Sequence, residues 1–575
     1  MASATLSQYL PALRWMRGYT GDDLKADMVA GLVVAMMLIP QSLAYALLAG
    51  VPAEVGLYAS ILPLVAYAMF GSSRTLSVGP VAVVSLMTMV SLGNILAEGS
   101  ADYLSAAIAL ALLSGLFLLI MGLFKLGFVA NFLSHTVVSG FISASGIIIA
   151  LSQVRHLIGV SGGGDTLPKI VVSLTQSAET VDLHTLVLGS LVLGFLFWAR
   201  SGVAPLAQRC GLGAINAQLA ARAAPVVAVL STILLVWWLG LEQSGVAVVG
   251  TIPSGLPTLA WPEFSYDLFQ ALWLPALSIA IIGYVESVSV GKTLAAKRRE
   301  SIDPNQELIG LGSANVASAL SGGFPVTGGI SRTVVNFDAG AKTQAASIFA
   351  AIGIALASLY LTPILYFLPK ATLAATIIVA VLTVVDFSIL KKTWRFSSND
   401  FRAVAMTLLG TLFFGVEIGV VCGVALSILL YLYRTSMPHV AEVGLVEGTQ
   451  HFRNVQRYQV TTVPSLLNLR VDESLFFANA SVLENLIYQR VYANDQIAHV
   501  VLICSAVNEI DYSAHEMLER VNQRLAEQGI CLHLSEVKGP VMDALRYSGL
   551  AHALSGSIYL TQFDAFEHLR SVVKQ

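Results

Sequence analysis

Residues 324–336, FPVTGGISRTVVN, place two glycines, a proline and Arg332 inside a region of the chain that is otherwise apolar. A helix packed against lipid would not contain this combination, because broken backbone leaves polar groups that cost several kcal/mol each in hydrocarbon. Such backbone is tolerated at membrane depth only where protein buries it or where it lines a cavity. The stretch therefore predicts a cavity within the membrane, and Arg332 at its edge indicates an anion as the occupant.

Composition places most of the chain in lipid. The 575 residues are 56% hydrophobic and 12% charged, and the mean hydropathy is +0.74. Soluble proteins carry about 25% charged residues, which is roughly twice this share. The net charge of −3 gives no sign of a polyanionic partner such as nucleic acid. The four cysteines lie far apart without a CxxC pair, which predicts neither a disulfide framework nor a zinc site.

Apolar windows of about 20 residues predict membrane spans. Eleven windows are clear, and three more are short or interrupted by glycine and proline, which gives 14 predicted spans: 28–48, 54–71, 77–93, 103–124, 128–153, 183–199, 223–241, 268–292, 306–321, 326–340, 345–367, 371–390, 400–416 and 418–436. Residues 1–27 show no cleavable signal. They are predicted to form an N-terminal arm that either rests on the membrane surface as a short helix or is solvated.

The distribution of lysine and arginine supports this count. If both termini are cytoplasmic, the outer loops contain only Arg155, Lys169 and Lys370 as cations. The inner loops then contain Arg74, Lys125, Arg200, Arg209, Arg222, Lys292, Lys297, Arg298, Arg299, Lys342, Lys391, Lys392, Arg395 and Arg402. Cytoplasmic loops are enriched in such residues. The sequence therefore predicts a multi-pass protein of the inner (plasma) membrane with both termini in the cytoplasm.

Two of the interrupted segments correspond to each other. Residues 77–85 read SVGPVAVVS and residues 327–333 read TGGISRT, and each segment is third in its set of seven spans. Paired interruptions of this kind mark the binding site of transporters built from inverted repeats. Their helix N-termini would face each other and offer free N–H groups to an anion. The alternative is that Gly-Pro marks a loop between ordinary helices.

The first span of each half carries polar residues of its own. Gln41 and Tyr45 follow Pro40 and lie one turn apart on the same helix face. Glu286 is the one carboxylate well inside the predicted span 268–292. A carboxylate at membrane depth is a functional candidate, because burial makes its charged form costly and allows it to exchange a proton. The alternative for Glu286 is a fixed ion pair with Arg332 or Lys292.

From about Pro438 the pattern changes to that of a soluble α/β domain, predicted over 437–575. Strands are predicted at 466–471, 500–504, 530–534 and 558–560, and helices at 480–491, 513–527, 541–547 and 564–572. The domain carries no nucleotide-binding loop and no catalytic grouping, which favours regulation or assembly through a cytoplasmic partner. An enzyme is disfavoured for the whole chain, because no His, Cys or carboxylate set has catalytic or ligand spacing.

Several motifs together resemble those of the sulfate permease (SulP) family of anion transporters with a C-terminal STAS domain. They are IPQSLAY (39–45), LAGVP (48–52), GLY (56–58), SVGP (77–80), ISRT (330–333), Asn336 and GAKT (340–343). The resemblance implies 14 spans in a 7+7 inverted repeat, divided into core and gate domains. It also implies an elevator-like movement of the core and a homodimer.

The same resemblance assigns residues to roles. The family's substrate site falls on Gln41, Tyr45, Val81, Ala82, Gly329, Ser331 and Arg332, and its coupling position falls on Glu286. Glu286 with Gly291 and Ala295 is similar to proton-coupled sulfate members, whereas Ser289 leaves a sodium site open. No cofactor beyond this coupling ion is implied. In the STAS domain, IDYS (510–513) is similar to the loop phosphorylated in anti-sigma antagonists, and Ser513 is either a regulatory phosphosite or, as we favour, the cap of the following helix.

These observations predict a secondary transporter that imports sulfate or a similar oxyanion together with protons. The alternatives within transport are a sodium-coupled bicarbonate symporter, a dicarboxylate carrier and a chloride–anion exchanger. From a different class, an anion channel and a voltage-driven motor share the expected membrane fold.

Overall fold

The computed structural model describes residues 10–93, 95–96, 101–131, 134–211, 213, 217, 220–259, 261 and 265–573. Residues 1–9 of the predicted N-terminal arm lie outside the described residues. The chain divides into two compact units, Met1–Ser427 and Ile428–Gln575. The predicted limit between the membrane and soluble domains lies nine residues further on, at 436, because the last apolar helix continues past the division.

Helices make up most of the first unit, and every predicted span contains at least one. In chain order they are α1 Ala12–Arg17, α2 Gly21–Leu48, α3 Ala53–Tyr58, α4 Leu62–Phe70, α5 Ala82–Gly93, α6 Ala101–Leu123, α7 His135–Ile158, α8 Leu167–Gln176, α9 Leu183–Arg209, α10 Ala224–Leu239, α11 Tyr266–Lys297, α12 Pro304–Leu320, α13 Ile330–Asp338, α14 Ala345–Tyr360, α15 Thr362–Leu365, α16 Lys370–Leu382, α17 Ser388–Phe396, α18 Ser398–Phe414 and α19 Val416–Ser436. Short 3-10 helices occupy Leu126–Asn131, Ala178–Thr180 and Leu241–Ser244.

The first spanning helix begins earlier than predicted. α2 starts at Gly21 because Thr20 and Asp23 form a capping box, in which each side chain accepts the other residue's N–H at 3.2 and 3.0 Å. Asp27, predicted in the N-terminal arm, lies within α2 and is fully buried. Its carboxylate accepts the backbone N–H groups of Lys342 and Thr343 at 2.6 and 3.0 Å. Hydropathy locates where the apolar residues begin, whereas the cap decides where the helix begins.

By length and composition, seven helices in the described part of the chain can cross a membrane. They are Gly21–Leu48, Ala53–Phe70, Asp102–Leu123, Thr136–Ile158, Leu183–Arg209, Tyr266–Lys297 and Val416–Ser436. Shorter apolar helices are Ala82–Gly93, Ala224–Leu239, Ala345–Tyr360 and Lys370–Leu382. This pattern is consistent with 14 spans, and the count of 14 stays a prediction.

The two interrupted segments meet in the middle of the first unit. Each begins with a two-residue strand, β1 Val78–Gly79 and β2 Thr327–Gly328, and the strands pair antiparallel with Val78 opposite Gly328. Each strand is followed closely by a helix, α5 or α13. The alternative of a loop between ordinary helices is therefore wrong, and the expected meeting of the two segments is confirmed.

The second unit contains a six-stranded sheet in the order β4-β3-β5-β6-β7-β8. The strands are β3 Val440–Leu445, β4 Phe452–Asn454, β5 Leu466–Val471, β6 His499–Ile503, β7 Cys531–Ser535 and β8 Ile558–Tyr559. The helices are α20 Ala480–Tyr492, α21 Tyr512–Glu527, α22 Gly539–Tyr547, α23 Leu550–Ala553 and α24 Gln562–Val573. Strands β5 to β8 are parallel, and β3 is antiparallel to both of its neighbours.

All four predicted strands and all four predicted helices of the soluble domain are present, within two residues at each end. Strands β3 and β4 were not predicted. β3 carries Glu442 and Gly444, and β4 has only three residues, so neither shows a clear apolar alternation. The prediction that Ser513 caps α21 is wrong, because the Asp511 carboxylate accepts the Ala514 N–H at 2.8 Å and is the cap. Ser513 is exposed in the first turn, and its phosphorylation stays a prediction.

Candidate anion site

Arg332 joins the two broken segments through their backbone. Its Nε donates to the Ser77 carbonyl at 3.0 Å, and Nη1 donates to the Pro80 carbonyl at 2.6 Å. Nη2 donates to the carbonyls of Gly79 and Thr327 at 2.7 and 2.9 Å. The side chain is 1% exposed. The guanidinium therefore acts as a charged cross-link that holds the starts of α5 and α13 together.

The sequence predicts that Arg332 binds the anion, with a fixed ion pair to Glu286 as the alternative, and neither prediction includes these backbone contacts. The sequence shows no acidic neighbour for it, whereas the structure supplies four carbonyl oxygens from backbone freed by Gly79, Pro80 and Gly328. Gly329 is needed here because a Cβ at this position would lie 2.7 Å from Arg332 Nε. The site thus retains the positive charge of the arginine, while backbone carbonyls engage four of the five N–H groups of its guanidinium.

A cavity of about 60 Å³ lies beside this cross-link and is called the central cavity below. Of the eight predicted site residues, all except Arg332 line it: Gln41, Tyr45, Val81, Ala82, Glu286, Gly329 and Ser331. Because α5 and α13 both begin at its wall, their first-turn N–H groups have no partner within the helix. α13 also has no side-chain cap. Two positive helix ends therefore meet at one small cavity.

Glu286 of α11 supplies the one carboxylate in the lining of the central cavity. The residue is 5% exposed, and its Oε2 atom has no hydrogen-bond partner. In the described part of the chain it forms no ion pair with Arg332 or Lys292, so the alternative of a fixed ion pair does not hold in this conformation. A buried carboxylate oxygen without a partner is available to a proton or a ligand.

Part of the lining of the central cavity was not predicted from the sequence. This part comes from α7, α16 and the turn that follows α16, and consists of Ile142, Gly146, Ile149, Ala380, Val381 and Val384. Apolar lining residues are indistinguishable in sequence from those that face lipid. Ser287 was missed as well: its Oγ lies 2.8 Å from Thr327 Oγ1 and accepts the Gly328 N–H at 2.9 Å, which ties α11 to β2.

Comparison with known families accounts for both units. Residues 24–407, which include the whole central cavity, match the sulfate permease family, and residues 457–565 match the STAS domain. The chain belongs to the sulfate permease family. It is therefore a multi-pass membrane transporter of anions, not an enzyme.

The relatives cover nearly the whole transporter. "Sulfate transporter 4.1, chloroplastic" of Arabidopsis thaliana is 36% identical over 555 residues, which cover 94% of this chain and 79% of the relative. A "probable sulfate transporter" of Mycobacterium tuberculosis H37Rv is 34% identical over 569 residues, which cover 98% of this chain and 99% of the relative. Both identities lie well above the level at which only the fold is shared.

Solved structures confirm the predicted fold class. SLC26A9 superposes with a TM-score of 0.90 at 22% identity and covers 100% of this chain and 94% of its own. The transmembrane domain of the cyanobacterial bicarbonate transporter BicA superposes with a TM-score of 0.60 at 21% identity, over 71% of this chain and 98% of its own. At these identities the likeness concerns the fold alone, which is a helical membrane domain followed by an α/β STAS domain.

Two larger cavities lie next to the central cavity along α2. The Arg200 cavity, about 550 Å³, shares Gln41, Ser331 and Ala380 with it. The Lys370 cavity, about 360 Å³, shares no lining residue with it but is lined by nearby residues of the same helices, namely Ala44 of α2, Gln153 of α7 and Ile377 of α16. Residues of α2 and α16 therefore line all three cavities.

Both outer cavities are lined by cations and by no carboxylate among the described residues. The cations are Arg200 and Arg222 in the first, and Arg155 and Lys370 in the second. Arg222 is paired with Asp338 at 2.6 Å, and Arg155 donates to the Gly162 carbonyl. A path with cations at both ends attracts anions and repels cations.

A separate cluster of histidine and cysteine lies in the STAS domain. His499, Cys531 and His533 have ligand atoms within 4.8 Å of one another, because His499 is in register with Cys531 and His533 lies two residues further on the same sheet face. His533 Nδ1 accepts the Ser557 N–H at 2.9 Å, and its Nε2 lies 3.1 Å from His499 Nδ1. Nε2 therefore carries the ring proton and donates it to His499, so hydrogen bonds satisfy the pair without a metal ion.

The buried histidine predicts an acid-sensitive STAS domain. Burial, with His499 and His568 nearby, lowers the pKa of His533 from 6.5 to about 4. Between pH 6.5 and 4, His533 binds a proton in the unfolded chain but not in the folded domain, so the stability of the domain falls as the pH falls through this range. The loss at pH 4 amounts to about 3 kcal/mol of unfolding free energy.

Hydrogen exchange of the β7 amides in the full chain, corrected for the intrinsic effect of pH, measures this loss. His533→Asn is the matched variant, because its Oδ1 can accept from Ser557 but cannot be protonated. We expect a clearly flatter dependence of protection on pH in this variant. An equal dependence in both proteins would assign the acid sensitivity to other groups.

Proposed function

We propose that the transporter takes up sulfate, or an oxyanion of similar size, together with protons by secondary active transport. The observation that carries this proposal is the row of three cavities, with cations at both ends and one carboxylate in the middle. The two relatives described above, which bear the name sulfate transporter, support the choice of anion.

In the proposed bound state, the anion accepts hydrogen bonds from the first-turn N–H groups of α5 and α13. The Gln41 amide, the Tyr45 hydroxyl and the Ser331 hydroxyl complete the site, while Val81, Ala82 and Gly329 let the anion approach the backbone closely. Arg332 contributes positive charge and holds the two helix ends in place. Each of these interactions favours an anion over a cation or a neutral solute.

Coupling follows from the position of Glu286. An ionised Glu286 repels a divalent anion in the same small cavity, and protonation removes the repulsion. Anion and proton therefore favour the same loaded state, which is the thermodynamic requirement for symport. Ser289, the residue that left a sodium site open, is exposed and lies outside the central cavity, so we favour H⁺ over Na⁺.

The proposed movement is an elevator-like displacement of the helices that carry the polar site against α7 and α16, whose apolar residues complete the lining of the central cavity. The central cavity shares three lining residues with the Arg200 cavity, and the predicted topology assigns the Arg200 cavity to the cytoplasmic side. We therefore interpret this conformation as inward-facing. Homodimer formation, plasma-membrane location, cytoplasmic termini and a cytoplasmic partner for the STAS domain belong to the same proposal.

Uptake into proteoliposomes tests the function. Labelled sulfate is supplied under separate inward H⁺ and Na⁺ gradients, with bicarbonate, succinate and chloride as competitors. We expect accumulation above equilibrium with the H⁺ gradient only. Flux without accumulation would indicate a channel, charge movement without flux a motor, and Na⁺-driven bicarbonate uptake the symporter alternative.

Lys370 offers a test of the path itself. Replacing Lys370 with glutamine removes one cation from the Lys370 cavity and is expected to raise the KM for sulfate about two- to fivefold at low salt, with little change in maximal rate. Lys169→Gln is the control, because Lys169 is exposed and paired with Asp165 outside the cavity. An equal rise in KM in both variants would mean that the cavity does not attract the anion.

A further inference from the structure

Helix α17 carries an unusual set of exposed residues. Lys391, Lys392 and Arg395 are all exposed, and within the described chain none of them forms an ion pair. Trp394 and Phe396 of the same helix are 69% and 91% exposed. Three cations and two large aromatic side chains thus project from nine residues.

The position of α17 explains this composition. It connects α16 to α18, two apolar helices, and therefore lies where the chain leaves the membrane and re-enters it. The Trp394 ring packs edge-on against Phe401 of α18, with ring centroids 4.7 Å apart. In water, this exposed aromatic surface would be unfavourable, but at the level of lipid headgroups it is stabilised.

The charge of the segment selects among lipids. Two acidic side chains flank α17 in the sequence, Asp386 and Asp400, and Asp386 accepts the Ser388 N–H and hydroxyl at 2.7 and 3.0 Å. Among the described residues neither forms an ion pair with the three cations, and α17 itself contains no acidic residue. A cation at a membrane surface prefers anionic over zwitterionic lipid by about fivefold, and three acting together reach roughly 100-fold.

We propose that α17 binds the headgroups of anionic phospholipids and thereby positions the end of α16 at the central cavity. Val384 lines that cavity, and α17 begins only four residues later, at Ser388. A lipid-bound α17 therefore holds one wall of the cavity at a fixed depth. Lipid binding does not depend on which anion is carried, whereas the effect on rate rests on the proposed function.

Two readouts test the proposal on the full chain in vesicles. The first is quenching of Trp394 fluorescence, taken as the difference between the chain and its Trp394→Phe variant. We expect brominated phosphatidylglycerol to quench Trp394 more strongly than brominated phosphatidylcholine at the same fraction. In the triple variant K391Q/K392Q/R395Q the two lipids should quench equally. Equal quenching in the unmodified chain overturns the proposal.

The second readout is sulfate uptake with and without phosphatidylglycerol in the vesicles. We expect the anionic lipid to raise the rate severalfold, and the triple variant to lose this response. The control is R453Q/R457Q/R546Q, which removes the same charge from exposed positions of the α/β unit and should respond like the unmodified chain. If both triple variants lose the response to phosphatidylglycerol, the response depends on the net charge of the protein and not on α17, and the proposal is wrong.

Adding inorganic phosphate or polyglutamate to the vesicles tests whether α17 binds a ligand other than lipid. If inorganic phosphate abolishes the phosphatidylglycerol preference at constant ionic strength, the site binds free phosphate, and the lipid assignment is wrong. If soluble polyglutamate, and not phosphatidylglycerol, changes Trp394 fluorescence, the ligand is an acidic protein segment, and the proposal is again wrong. A chain that shows the lipid preference but no uptake would confirm lipid binding and contradict only the proposed transport.

Discussion

Replacing Arg332 with alanine is expected to lower sulfate uptake at least about 100-fold, because four buried carbonyl groups lose their donor at about 1–3 kcal/mol each. The carbonyls belong to Ser77, Gly79, Pro80 and Thr327, so the starts of α5 and α13 would separate. The measurement is initial uptake into proteoliposomes, normalised to correctly inserted protein.

Arg332→Lys distinguishes the cross-link from the charge. Lysine keeps the positive charge but has one nitrogen with three donors, and it cannot reach four carbonyls in the planar geometry of guanidinium. If the cross-link matters, the lysine variant stays impaired by more than about tenfold. If only the charge matters, lysine restores uptake. Near-normal uptake by the alanine variant would show that the anion site does not need Arg332.

Replacing Glu286 with glutamine is expected to abolish proton-driven accumulation while leaving anion exchange partly intact. Glutamine has nearly the same shape but carries no charge and binds no proton, so the anion meets the same low repulsion at every pH. The expected result is a flat pH profile of exchange and no accumulation under an H⁺ gradient. Uptake rates over a pH series, with and without the gradient, measure both effects.

Glu307 provides the matched control for this experiment. It is also fully buried in a membrane helix, α12, but its carboxylate accepts the Tyr67 hydroxyl at 2.8 Å and the N–H groups of Ser72 and Ser73 at 2.8 and 2.9 Å. Glu307→Gln should therefore lower thermal stability in detergent and leave the pH profile of transport unchanged. A flat profile in this variant, with a normal one in Glu286→Gln, would move the coupling role to Glu307.

Local sequence signals predicted much of the architecture. Hydropathy located the apolar helices, and the strand and helix periods located the elements of the STAS domain, because both depend on residues close together in the chain. The correspondence between SVGP and TGGISRT indicated that two distant segments share one site. The pairing of Val78 with Gly328 confirms that they meet.

Other features have no decisive signal in the sequence. Asp511 rather than Ser513 caps α21. Both residue types are good N-caps, so the sequence does not decide between them, and the residue at which the helix begins does. The apolar wall from α7 and α16 has no sequence signature, because an apolar residue beside a cavity is chosen from the same types as one beside lipid. The polar contacts of Ser287 with Thr327 and Gly328 join distant parts of the chain, since Ser287 and Thr327 are 40 residues apart in the sequence.

The sequence by itself determined that an arginine lies beside broken backbone within the membrane, because composition and hydropathy require no knowledge of contacts. Only the tertiary structure decided what that arginine does. Glycine and proline interrupt the regular backbone of two distant segments and leave carbonyl groups without helical partners. Arg332 and Pro80, for example, are 252 residues apart in the sequence. Folding brings those carbonyls to one guanidinium, so the partners that sequence could not supply come from the backbone itself.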